Sequence, residues 1–359
     1  MFKNYHLRIL FHKISQILSY STAFSIFFVD LQLQYTLMET GKKKLLVIIN
    51  PISGSAHRDY MPEIVDKSID KAQFEHVVRF TQGPGHATQL AKAAIEQGFY
   101  GVIAIGGDGT INETASALIN SDVALGIVPC GSGNGLARHL TIPIVPERAL
   151  KLINDNHIEN LDYCTVNDVP FFCTCGVGFD AVVSEKFSQA KKRGPLSYAK
   201  NAILEYLTYR SEEYVIKTPE SETTEHAFVI ACGNASQYGN NAFIAPKASM
   251  QDGMIDVTVI HPFKPIETPL IGLQLFTKQI DKNTNIHCFR TKELSIFRPK
   301  AAVMHIDGEP RMMDANLNIK CHKAGIKVFT PTTSTRSLLE PIENGFYDFI
   351  NAIRAELEI

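Results

Sequence analysis

Three apolar runs, each leaving directly into a glycine-rich turn, constrain this chain more than any other feature. "KLLVIINP" runs into Asn50-Pro51-Ile52-Ser53-Gly54, "GVIAI" into Gly106-Gly107-Asp108-Gly109-Thr110-Ile111-Asn112, and "VALGIV" into Pro129-Cys130-Gly131-Ser132-Gly133-Asn134-Gly135. Short β-rich apolar runs bounded by turn residues read as buried strands. Between them lie helical spacings: "MPEIVDKSIDKA", "GHATQLAKAAIEQGF" closed by Gly98, "INETASALIN" from Ile111, "NGLARHL" and "PERALKLIND". Strands alternating with helices predict βαβ units and a parallel sheet with helices on both faces. All three turns then fall at the carboxyl ends of parallel strands, the edge where open α/β sheets bind ligands. Glycines let a polyanion reach backbone N–H groups, and the following helix N-termini add positive potential. Ser53, Thr110 and Ser132 add hydroxyl donors. Neither a GxxxxGK[ST] loop nor a GxGxxG fingerprint stands at these positions, so those two phosphate cradles do not apply.

Near Asn160 the rhythm changes. Short strands follow, separated by turn signals at Asn167-Asp168, Asp252-Gly253 and Asp307-Gly308, with one helical insertion near Pro195–Tyr209. This pattern predicts a mostly antiparallel β-sandwich. The expected organisation is residues 42–160 as a nucleotide-binding α/β domain and 161–330 as the sandwich. An amphipathic helix over 334–359 would pack back on the first domain. Residues 1–37 read as an extension outside the fold. Their apolar stretch "ISQILSYSTAFSIFFV" is shorter than the ~20 residues a spanning helix needs, leaving a membrane-leaning amphipathic segment as its alternative.

Length and composition agree: 359 residues suit two domains, 45% are apolar, and 35 basic against 37 acidic residues leave no basic stripe for nucleic acid. Seven cysteines lack zinc spacing and read as reduced, packed thiols, which points to the cytoplasm.

The ordered motifs "NPISG", "TQGPGHA", "GGDGTINE" and "GSGNGLARHL", followed by "GVGFDA", "APKASMQDGMIDV" and "HIDGEP", resemble the diacylglycerol kinase catalytic-domain family of lipid kinases. That family includes bacterial lipid kinases and the sphingosine and ceramide kinases. The resemblance implies an ATP-dependent kinase that phosphorylates a hydroxyl of diacylglycerol, a sphingoid base or a related lipid. It implies a fold with ATP between the α/β domain and the sandwich. It also implies peripheral contact with a membrane, no transmembrane span, and room for a homodimer. By motif, ATP contacts fall on Asn50, Pro51, Ile52, Ser53, Gly54, Thr81, Gly106, Gly107, Asp108, Gly109, Thr110, Ile111, Asn112 and Ser132. A structural Mg²⁺, held in bacterial members, maps to Ser249, Asp252 and Met254. Without the resemblance, Asp252-Gly253 reads as a hairpin turn.

Phosphoryl transfer needs a carboxylate to take the hydroxyl proton. Glu309, with Asp307 beside it, matches the acidic motif of bacterial members, and Asp108 matches the aspartate regarded as catalytic in sphingosine kinases. Glu309 is read as the base and Asp108 as organising Mg²⁺ and the transferred phosphate, the reverse assignment staying open. Gly135 stands where many bacterial members carry an acid, which leans toward the sphingosine-kinase side. Two other classes remain: a soluble-substrate kinase resembling NAD kinase, and a nucleotide-binding regulator without catalysis.

Overall fold

The computed structural model describes residues 41–53, 60–189 and 209–332. Outside them lie the N-terminal extension, Gly54, the C-terminal helix and all of the helical insertion except Tyr209. In the first half, strands β1 (Lys43–Ile49), β2 (Phe74–Phe80), β3 (Gly101–Gly106) and β4 (Ala124–Pro129) pair in parallel, in the order β2-β1-β3-β4. β3 and β4 are buried at every position, as strands covered on both faces must be. Five helices accompany them: α1 (Met61–Ser68), α2 (His86–Glu96), α3 (Asp108–Leu118), α4 (Gly135–His139) and α5 (Pro146–Ile153). α2 packs beside α3, and α1 beside α5.

This strand order decides where a ligand fits. From β1 the chain crosses outward to β2, then returns past β1 to β3 and continues to β4. Right-handed crossovers put α1 on one face and α2 and α3 on the other. The sense of winding therefore reverses between β1 and β3, so the connections leaving these two neighbours diverge and open a crevice at their carboxyl ends. Two of the three glycine-rich turns leave from those two strand ends.

The second half contributes β5 (Ile158–Val166), β6 (Val169–Phe171), β7 (Thr174–Gly178), α6 (Phe179–Gln189), β8 (Glu212–Lys217), β9 (Glu222–Ala227), β10 (Val229–Gly233) and β11 (Ile255–Ile260). After them come α7 (Thr268–Phe276), β12 (Ile286–Thr291), β13 (Glu293–Phe297), β14 (Ala302–Ile306), β15 (Glu309–Met313) and β16 (Asn316–Phe329). One antiparallel sheet runs β12-β11-β10-β7-β14-β15. It faces β5, β8, β13 and the first part of β16 across a core of residues such as Val177, Ile230, Val257, Ile296 and Leu317. Asn167 and Asp168 both have positive φ, as do Asp307 and Gly308, the requirement of tight two-residue hairpins. Asp252-Gly253 differs from the hairpin reading: β10 and β11 are antiparallel neighbours, but a long connection over residues 234–254 joins them, and Asp252-Gly253 lies at its end rather than forming a tight two-residue turn.

The long strand β16 breaks register between His322 and Ile326. Before the break it pairs with β13, and after it Val328 aligns in parallel with Leu125 of β4. The parallel sheet and one layer of the sandwich are thus a single sheet, with Leu317 and Ile319 in one core and Val328 and Phe329 in the other.

Candidate active site

The first turn is organised by Asn50. Its backbone N–H donates to Ile105 O (3.0 Å), its side-chain amide donates to Thr110 Oγ1 (2.9 Å), and its Oδ1 accepts the Ile52 N–H (3.1 Å). Ser53 Oγ donates back to Asn50 O (3.1 Å), leaving Ile52 exposed at the tip. Thr81 N–H donates to Ile49 O (2.9 Å), which holds the end of β2 against the same turn.

The second turn is shorter than its sequence suggests. Helix α3 begins at Asp108, not at Ile111, and Gly107 is its extended N-cap. An acid in the first helical turn complements the dipole, so Asp108 starts the helix rather than extending the loop. Gly106 makes this possible: a Cβ there would stand 2.6 Å from Thr110 Cβ. Gly131 does the same for the third turn, since a Cβ on it would meet Gly107 Cα at 2.8 Å. The second and third turns therefore touch backbone to backbone.

Asp108 fastens them. Its Oδ2 accepts the Asn134 N–H and its Oδ1 the Gly135 N–H, each at 2.9 Å. Burial pushes its carboxyl pKa up, against the pull of those two amides. Asn134, at φ 51°, closes the third turn by exchanging hydrogen bonds with Gly131, and Arg138 Nε donates to Gly133 O. Ser132 is exposed at the tip.

Asp307 performs the corresponding task across the two halves. Its Oδ1 accepts the N–H groups of Cys173 (2.7 Å) and Thr174 (3.0 Å); its Oδ2 accepts Phe172 N–H (2.9 Å) and Asn112 Nδ2 (2.8 Å). Burial raises its pKa, and these four bonds oppose that. With four donors already on two oxygens, Asp307 is an organiser of the crevice, tying α3 to the turn between β6 and β7. Asp108, Asn112, Leu136, Phe172, Tyr238 and Asp307 are among the residues lining that narrow crevice.

Glu309 is different. It is exposed, its carboxylate has no hydrogen-bond partner among the described residues, and it sits beside the first turn of α3: a Cβ on Gly109 would lie 3.6 Å from its Oε1. The three acids are thus brought together: Asp307 accepts four donors, Asp108 two backbone amides, and the Glu309 carboxylate none among the described residues.

The residues expected to hold a structural Mg²⁺ do not fit one. Asp252 Oδ1 accepts Met254 N–H (3.0 Å), and its Oδ2 pairs with the guanidinium of Arg290. Arg290 Nε also binds Asp256 Oδ2 (3.0 Å), and Ser249 Oγ accepts Gln251 N–H. A fixed cation already supplies the positive charge there, leaving one neutralised carboxylate and neutral oxygens as the donor set. Among the described residues no group of three or more His, Cys, Asp and Glu could hold a metal ion.

Two further contacts had weak sequence signals. Asp180 and His305 stand in the quoted motifs "GVGFDA" and "HIDGEP", yet only the fold brings Asp180 Oδ2 to His305 Nε2 (3.1 Å) and to the Tyr238 hydroxyl, which donates to it (3.0 Å). Asn134 was legible as a glycine-flanked turn residue of the kind that tolerates positive φ. Tyr238 and Arg290 carried no signal.

Comparison with known proteins gives a consistent result. The model of the diacylglycerol kinase catalytic domain matches residues 44–166, and that of the YegS C-terminal NAD kinase beta sandwich-like domain matches residues 173–330. A probable lipid kinase YegS-like protein of Serratia proteamaculans is 30% identical over 272 residues, covering 74% of this chain and 87% of the relative. A probable lipid kinase YegS of Escherichia fergusonii is 28% identical, covering 80% of this chain and 95% of the relative. Among solved structures, a putative diacylglycerol kinase from Bacillus anthracis superposes with a TM-score of 0.67 at 20% identity, over 82% of this chain and 99% of that one. This last likeness is one of fold.

Proposed function

The chain belongs to the diacylglycerol kinase catalytic-domain family, and from that membership we propose that it transfers the γ-phosphate of ATP to a hydroxyl group of a membrane lipid. The observation that carries this reading is the unengaged carboxylate of Glu309 beside the first turn of α3, where the glycine-rich turns converge. ATP binds with its phosphates at the N-terminus of α3, where Gly106–Asn112 turn into the helix, beside the turn Asn50–Ser53 and helped by Thr81 and Ser132. Mg²⁺ carried with the nucleotide neutralises phosphate charge. The acceptor oxygen forms a bond to the γ-phosphorus as the bond to the bridging β–γ oxygen breaks. The hydroxyl proton passes to Glu309, and ADP leaves. Asp108 and Asp307 act by holding the turns and the crevice in register, a precondition for in-line geometry. The substrate is reached from the cytoplasmic membrane surface by peripheral contact; among the described residues no helix is long and apolar enough to cross a membrane.

The deciding experiment incubates purified protein with labelled ATP, Mg²⁺ and a panel of diacylglycerol, sphingoid bases and related lipids, alongside NAD. A chloroform-extractable labelled product is expected. Label found only in water-soluble NAD would replace this reading with a soluble-substrate kinase. ATP binding without label in any acceptor would leave a non-catalytic regulator.

A further inference from the structure

Helix α7 is uncharged and predominantly apolar: "TPLIGLQLF" has only Thr268 and Gln274 as polar side chains. A helix of that composition needs cover on most sides, yet among the described residues only one side has it. Ile271 and Leu275 pack inward with Phe228, Val229, Ile244, Ile260 and Ile286 against the outer face of the antiparallel sheet. On the other side Leu270, Leu273 and Phe276 are 52%, 61% and 58% exposed, and Ile266, in the turn just before, is 84% exposed. Spacings of three residues put Leu270, Leu273 and Phe276 on one face of the helix, and Ile266 stands in the 3₁₀ turn that leads into it. They are the main concentration among the large apolar side chains exposed in the described residues.

Charge identifies what covers this face. Lys264, Lys278 and Lys282 flank the helix and are exposed. The neighbouring acids are turned away or paired: Glu267 accepts Lys264 N–H (2.7 Å) and the Asn285 amide (3.0 Å), and Asp281 pairs with Lys247 (2.7 Å). An apolar face with a basic rim matches an anionic bilayer surface, acyl chains against the leucines and headgroups against the lysines. A second copy of the same face would instead set lysine rim against lysine rim. The helix also communicates with the crevice. Phe243 N–H donates to Leu275 O (2.9 Å), Tyr238 N–H donates to Ala242 O (3.0 Å), and Tyr238 lines the crevice alongside Asp108 and Asp307.

We propose that α7 with Ile266 is the membrane-docking element, lying in the interface of an anionic bilayer and presenting the crevice to lipid. This rests on the lipid-kinase reading for the reason a bilayer is approached, whereas its test needs no turnover. The full chain, without nucleotide, is sedimented with vesicles of phosphatidylcholine mixed with phosphatidylglycerol and with vesicles of phosphatidylcholine alone. Wild type should bind the mixed vesicles, more weakly as salt rises. Leu270→Ser/Leu273→Ser/Phe276→Ser should lose about a hundredfold or more in affinity, and Lys264→Gln/Lys282→Gln about fivefold per lysine. The lysine pair leaves the helix packing untouched and serves if the apolar variant unfolds. Phosphorylation of lipid dispersed in detergent micelles should be unchanged in both variants. Absence of labelled lipid in micelles as well would fail the kinase reading and not the docking. Vesicle binding equal to wild type in both variants overturns the docking, as does a wild-type dimer that the apolar variant converts to monomer.

Discussion

Single carboxylates at this site differ in what surrounds them rather than in chemical type. Asp108 and Asp307 spend their oxygens on backbone N–H groups and Asn112, and Glu309 does not. Glu309→Gln should therefore lower kcat by roughly two to four orders of magnitude, the usual range for a general base, with ATP affinity within about twofold of wild type. Stopped assays with equilibrium nucleotide binding check this; activity within a few-fold of wild type would return the base role to Asp108. Arg290 gives a second prediction at this scale. Because its guanidinium bridges Asp252 and Asp256, the melting temperature without nucleotide should be insensitive to EDTA or added Mg²⁺. Arg290→Met should melt lower and gain stability from Mg²⁺, since removing one partner leaves the two carboxylates uncompensated; thermal melts across a Mg²⁺ series read both effects. No sequence pattern distinguished the engaged acids from the unengaged one, because hydrogen-bond donors supplied from residues far apart in sequence leave no local trace.

Elements show where local reading succeeds and where it slips. Strand and helix positions in the first half were legible from periodicity, but α3 starts three residues earlier than expected, at Asp108, because a close contact with Thr110 tolerates only glycine at position 106. The short helix α4 illustrates coupling between elements. His139 at its end accepts Ser236 N–H at Nδ1 (3.1 Å), joining the two halves. Burial, with a smaller contribution from Lys278, holds its pKa down to about 4. The folded state thus binds fewer protons than the unfolded chain between about pH 4 and 6.5. Stability is full above that window and falls by roughly 3 kcal/mol as pH drops through it. His139→Gln should flatten this acid limb in denaturant titrations from pH 4 to 7; an unchanged limb would assign it to other groups.

The molecule as a whole is joined by β16, whose two parts enter two cores. Its unfolding should accordingly be one cooperative transition, with equal calorimetric and van't Hoff enthalpies; two resolved transitions would show independent halves. Residues 44–166 and 173–330 match separate family models, while the change of periodicity near Asn160 falls within β5, inside the first of these matches. The shared strand was invisible to it, because a parallel pairing between Leu125 and Val328 joins segments some two hundred residues apart. By itself the sequence determined the βαβ rhythm, the glycine turns at strand ends, the family and the set of acids, since each depends on local periodicity or on residue types in order. Only the tertiary structure decided that Arg290 pairs with the Asp252 carboxylate where a metal was expected, and, among the described residues, which acid is unengaged and that α7 exposes an apolar face. Burial, charge pairing and hydrogen-bond saturation are properties of neighbours in space, and the chain order does not contain them.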